Sequence, residues 1–150
     1  MLREAIRDAG LAEVVEVGSA GTSWEAEGMP MDERTEIALE RAGYVRPFEH
    51  TARTIHLTEL LSWDLVLPMA IGHAQLLRRM VEQTPEGNQA PEVVLWRRFD
   101  PETAAGTPET EMDVKDPWYE GQGAFDRTVV QMQRSLPAIT AHVQDVLSSR

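Results

Sequence analysis

The sequence predicts an α/β domain built around a mainly parallel sheet. Segments with helical spacing alternate with short apolar runs. Those runs are rich in Val and Leu, as strands covered on both faces are. The loops that follow, around Ser19, Met69 and Asp116, then share one rim at the carboxyl ends of the strands, where such sheets bind ligands.

Leu2, Ala5, Ile6 and Ala9 repeat at helical spacing and stop at Gly10, which predicts a first helix. No Ser, Thr, Asp or Asn cap precedes it, and a helix this short is marginal without an earlier turn. Glu13 to Val17 alternates and runs into Gly18-Ser19-Ala20-Gly21, the pattern of a strand ending at a tight loop. Asp32 is placed to cap a second helix carrying Ile37, Leu39 and Ala42 up to Gly43. Leu57 to Ser62 reads as a short helix. Leu65 to Met69 reads as a buried strand with Pro68 near its end, and a helix with Ala74, Leu76, Leu77 and Met80 follows. Val93 to Trp96 is a third strand, and Asp100 to Glu111 a mobile polar surface loop. Phe125, Val129, Met132, Leu136, Ile139, Val143 and Leu147 trace one face of a long amphipathic helix over 124–147, bent at Pro137.

One domain accounts for all 150 residues, with 42% hydrophobic and 26% charged residues giving enough apolar material for a core. The formal net charge of -11 argues against nucleic acid and anionic membrane surfaces as partners, since both need a positive field. No run of about 18 apolar residues could span a bilayer, and the opening residues lack a signal core, so a cytoplasmic protein is expected. The absence of cysteine excludes disulfides, thiolate zinc sites and a thiol nucleophile within these residues. The four histidines form no ligand spacing with carboxylates, so neither metal nor cofactor is expected.

Five segments, taken together, carry a resemblance. They are Ser19-Ala20-Gly21-Thr22 with Trp24; Gly28, Pro30, Asp32 and Arg34; His50-Thr51-Ala52-Arg53; Asp64-Leu65-Val66-Leu67 with Met69; and Asp113-Val114-Lys115-Asp116-Pro117-Trp118-Tyr119. Singly each is weak: Asp-Pro commonly starts a turn, His50 would be a surface histidine, and Arg53 an ion-paired residue. Trp63 and Trp96 are assigned to core packing. In this order and spacing the chain resembles the low-molecular-weight protein tyrosine phosphatases over nearly its whole length, most closely the bacterial branch.

The resemblance implies a three-layer α/β/α fold and a phosphotyrosine protein or small aryl phosphate as substrate. The family's nucleophile is a cysteine in a Cys-x5-Arg loop, where backbone N–H groups, a helix N-terminus and a bidentate arginine face a dianion. The thiolate attacks phosphorus and a carboxylic acid protonates the leaving phenol. On this resemblance Asp116 is that acid and later the base. Ser19 and His50 brace the phosphate loop, and Trp24, Trp118 and Tyr119 line the substrate cleft.

Departures bear on what the chain can do. Ala70 stands where the family usually carries an Asp after its third strand, removing a carboxylate from the rim. Lys115 replaces the usual proline before the acid, which is expected to loosen the loop and add a positive charge beside Asp116. No counterpart of the family's first, central strand and phosphate loop is found, a stretch of about 20 residues for a strand, a loop and one helical turn. The resemblance therefore describes an N-terminally truncated domain with two inner strand edges unpaired, expected to close on each other or to pair in a homodimer. Without the nucleophile the chain is expected to be inactive, and a non-catalytic binding protein is the alternative.

Overall fold

The computed structural model describes residues 1–84 and 90–149. It holds five helices, α1 (Leu2–Asp8), α2 (Glu33–Arg41), α3 (Leu57–Leu60), α4 (Ile71–Glu82) and α5 (Gln122–Ser148), with two short strands, β1 (Leu65–Val66) and β2 (Glu92–Val93). β1 and β2 are parallel, and α4 lies between them in the chain, so the unit is a strand–helix–strand crossover. The ladder extends beyond the named strands: the amides of Glu92, Val94 and Trp96 donate to the carbonyls of Asp64, Val66 and Pro68. Pro68 joins as an acceptor, the one role its missing N–H leaves it.

Two apolar layers sandwich this unit. On one side Val93 and Leu95 pack with Ala74 and Ile71 of α4, and with Met112. On the other, Leu67, Met69 and Trp96 pack against Leu136 and Ile139 of α5, together with Leu2 and Ala5 of α1 and Val114. A neighbouring cluster joins Ala38 and Leu39 of α2 to Phe125 and Val129 of α5, and Met1 touches both clusters. The fold is α/β, as the alternation of patterns implies.

Helix boundaries follow their caps. The Asp32 side chain accepts the Arg34 amide at 2.8 Å to start α2. Past its end Gly43 takes φ +95°, and the Tyr44 amide returns to the Leu39 carbonyl. The first turn of α1 has no side-chain cap. α5 runs through Pro137 as one 27-residue helix with the proline on its exposed side.

Two expectations need correction. Residues 13–17 form no strand: 12–14 form a turn closed by bonds from the Val14 and Val15 amides to the Leu11 carbonyl, and 15–20 have no regular structure. A strand exists only beside a neighbour that takes up its N–H and C=O groups, and none lies along this segment among the described residues. Its alternation survives as half-buried Val15 and Val17 around exposed Glu16. The third predicted strand is also cut short, because residues Trp96–Phe99 wind into a 3-10 helix.

The stretch from Asp100 to Glu111 is not simply a polar surface loop. Asp100 is 3% exposed, and its carboxylate receives Nε and Nη2 of Arg134 on α5 at 3.2 and 2.9 Å and the Glu102 amide at 3.0 Å. Burial alone would push the Asp100 carboxyl up, but the bonds from Arg134 and the Glu102 amide hold it below its ordinary value. Glu109 is held by a two-pronged bond from Arg78 of α4, at 2.7 and 2.8 Å.

Candidate functional site

Two groups of sequence-predicted residues assemble, in two places. The first surrounds Ser19 and His50. Backbone bonds zip the loop after Ser19 to the segment after His50: the Gly21 amide to the Arg53 carbonyl (2.8 Å), Ile55 to Gly21 (3.0 Å), Gly28 to Ala52 (2.8 Å) and Ala52 to Met29 (2.9 Å). Gly28 turns at φ +81°, a conformation glycine adopts without steric cost. Thr54 Oγ1 adds bonds to the Ser23 carbonyl and Glu27.

Ser19 and His50 thereby line a common cleft of about 510 Å³ with Gly18, Arg3, Arg53 and Trp63. Arg3 donates to the Val17 carbonyl at 2.8 Å, fixing the segment before Ser19 to α1. Gly18 allows Trp63 to close over it, since a Cβ there would lie 2.8 Å from the indole Cζ2. Trp63 is thus a wall of the cleft rather than a core residue, its Nε1 donating to Glu59 at 3.4 Å. Trp96 is core as expected, buried with its Nε1 donating to the Met132 carbonyl.

The cleft leans acidic. Glu16, Glu49 and Glu59 face it against two guanidiniums, and Arg53 is matched to Glu59 at 2.6 Å. The bond from Arg53 holds the Glu59 carboxyl below its usual value and raises the arginine. Such a balance does not by itself draw a dianion.

The second group is the loop from Asp113 to Glu120. Its base is fixed by buried Val114, whose amide donates to the Met69 carbonyl at 2.7 Å. Asp113 Oδ1 accepts the Ile71 amide at 2.7 Å, so the loop's own carboxylate serves the start of α4, where Ala70 offers no side-chain cap. The carboxylate missing at Ala70 is therefore supplied from across the fold. Asp116 Oδ1 accepts the Trp118 amide at 2.9 Å, a turn that leaves the other carboxyl oxygen to solvent. Lys115 pairs with Glu120, closing the loop on itself and holding the Glu120 carboxyl down.

Arg34 is the residue the sequence reading left without a role. Its Nε and Nη2 make a bidentate pair with Asp32 at 3.0 and 2.9 Å, and Nη1 donates to the carbonyls of Trp118 (3.2 Å) and Glu120 (3.0 Å). The guanidinium lies 4.3 Å from the Phe125 ring centre and 5.6 Å from that of Trp118. The arginine's hydrogen bonds set the Asp32 carboxyl below its ordinary value. Only its position two residues after a capping Asp could have drawn attention to Arg34, because the other partners lie more than 80 residues away.

Trp118 is 56% exposed, Tyr119 97% and Trp24 77%, so all three predicted wall aromatics present rings to solvent. None of them, nor Asp116, lines the cleft that holds Ser19 and His50. Among the described residues no cluster of three or more His, Asp or Glu is placed to hold a metal ion, and no helix is long and apolar enough to cross a membrane.

An α/β sandwich with a clamped Asp-Pro-Trp-Tyr loop at its edge defines a class by likeness. Residues 1–148 match the family described as low molecular weight phosphotyrosine protein phosphatase, and the chain belongs to it. It is similar to a low molecular weight protein-tyrosine-phosphatase of Streptomyces coelicolor, 33% identical over 150 residues that span all of this chain and 86% of that one. A low molecular weight protein-tyrosine phosphatase A of Mycobacterium tuberculosis is 32% identical over 149 residues, 99% of this chain and 83% of that one. The fold also superposes on the crystal structure of a protein tyrosine phosphatase from Entamoeba histolytica with a TM-score of 0.79 at 19% identity, covering 96% of this chain and 85% of that one.

Proposed function

We propose that the chain carries the acid loop and aryl-binding wall of a phosphotyrosine monoesterase. The observation that carries the reading is the clamped loop of 113–120, which exposes Asp116, Trp118 and Tyr119 together in a chain of this family. In this reading a cysteine thiolate in a Cys-x5-Arg loop, as the family carries and these 150 residues do not contain, would attack phosphorus to form phosphocysteine, and Asp116 would protonate the departing phenolate. Asp116 then removes a proton from the water that hydrolyses the phosphocysteine, with Ser19 and His50 bracing the phosphate loop. Trp24, Trp118 and Tyr119 stack on the aryl ring. The substrate is a phosphotyrosine protein or a small aryl phosphate, and the protein works in the cytoplasm as one domain.

The 150 residues contain no cysteine, so by themselves they do not turn substrate over. Purified chain incubated with p-nitrophenyl phosphate should release no phenol above the buffer rate. Vanadate-sensitive turnover would overturn that expectation. A second reading, a non-catalytic phosphatase-like binding or interaction protein, is favoured by the absence of cysteine and by Ala70, where the family usually carries an Asp. A phosphotyrosine peptide that binds the chain without being hydrolysed supports it. β1 is paired along one edge only among the described residues, and a second copy pairing along the other would make a homodimer. Sedimentation of the chain as a monomer at all concentrations removes that part of the proposal.

A further inference from the structure

The geometry points to Arg34 as a positioning residue that sets the Asp116 carboxyl and the Trp118 ring relative to each other; this rests on reading 113–120 as acid loop and substrate wall. Four N–H···O bonds leave the Arg34 guanidinium, two to Asp32 and two to carbonyls of the loop, while its Cζ lies 4.3 Å from the Phe125 ring centre and 5.6 Å from that of Trp118. The connection to Asp116 runs through the backbone of one residue, Trp118, whose C=O and N–H belong to the two peptide groups that meet at its Cα. Arg34 holds the Trp118 carbonyl, and the Trp118 amide holds Asp116 Oδ1 at 2.9 Å. Moving the residue 118 backbone moves the carboxyl.

Among the described residues the loop's other fastenings act elsewhere, Thr128 Oγ1 reaching only the Lys115 carbonyl at 3.4 Å. Lys115 with Glu120 closes the loop on itself, and Arg127 reaches Glu120 only at 3.8 Å. Asp113 and Val114 fix the loop's base, ahead of Asp116. Gln122 Nε2 donates to the Arg34 carbonyl at 2.8 Å, so the start of α5 is registered to the same residue. A lysine at 34 would supply a point charge on a flexible stem, which cannot grip a carboxylate with two prongs, hold two carbonyls and lie over the Phe125 ring at once.

The test uses the whole chain labelled with 5-fluorotryptophan, whose four tryptophans give four fluorine resonances, Trp118 being assigned by Trp118→Phe. Arg34→Met and Arg34→Lys should both displace the Trp118 resonance beyond its linewidth, while those of Trp63 and Trp96 stay in place. A merely stabilising Arg34 would lower the melting temperature and leave the Trp118 resonance of the folded protein where it was, which overturns the proposal. If Arg34→Met fails to fold, Asp32→Ala decides: it keeps the guanidinium but removes both oxygens that anchor it, and an unmoved Trp118 resonance there also overturns the proposal. A Trp118 resonance that moves in the variants but ignores added phosphotyrosine in the parent upholds the positioning role and counts against the functional reading alone.

Discussion

Replacing Ile139 by alanine tests the packing that carries the site. Ile139 is fully buried on α5 in the cluster with Trp96, Leu136 and Val114, and Val114 is the base of the loop that carries Asp116. The change deletes three carbons, worth about 2.4 kcal/mol of transfer at about 0.8 per methylene. Incomplete collapse of the cavity brings the expected loss to about 3 kcal/mol. For a chain of this length that corresponds to a melting temperature lower by about 6–12 °C, or to a urea midpoint lower by about 1.5 M at a slope near 2 kcal/mol/M. Ile139→Val removes one carbon and should cost about 1 kcal/mol, roughly a third as much. Circular dichroism melts and urea titrations of the three proteins measure the series. An alanine variant that melts within about 2 °C of the parent, at the slope per kcal/mol used above, would show that this face of α5 does not hold the sheet and loop together.

Other perturbations address single contacts. The Asp100 carboxyl is held below its unfolded value, so its contribution is complete above the unfolded pKa and is lost as pH falls through the lower folded value. Arg134→Met should therefore destabilise strongly at pH 7, with the gap to the parent closing in urea titrations below about pH 4; a gap that stays constant refutes the role given to the Asp100–Arg134 pair. Asp113→Ala removes the acceptor at the start of α4 and should cost about 1 kcal/mol, as loss of a helix cap does, read by urea titration. Gly18→Ala puts a methyl into the Trp63 ring and should shift that residue's fluorine resonance while leaving Trp96 unmoved.

What the sequence made legible was local. Asp32 could be named as a cap because its acceptor and the amide it serves lie two residues apart, and α5 because its apolar face repeats over 27 residues. What it hid was relational. The alternation over 13–17 is that of a strand, yet strand formation depends on a neighbour, and the segment keeps its pattern of burial without the ladder. The Asp100–Glu111 stretch reads as a loose loop by composition, but its two key carboxylates meet arginines 31 and 34 residues away. Trp63 reads as core because nothing near it in the sequence suggests chemistry, and it becomes a cleft wall because Gly18 lets it approach. For the candidate site, the motifs pointed to loops that the structure ties to the rest of the fold. Their placement in two separate patches, and the hub at Arg34, needed the structure.

The clamp on the 113–120 loop also bears on the thermodynamics of association. The loop is tied at Asp113, Val114, Trp118 and Glu120 before any ligand arrives. Ordering a mobile loop on binding costs entropy, and here the backbone part of that ordering is completed during folding. A ligand stacking on the outer face of Trp118 should consequently bind with a small entropic penalty and a heat-capacity change that reflects only the ring area it covers.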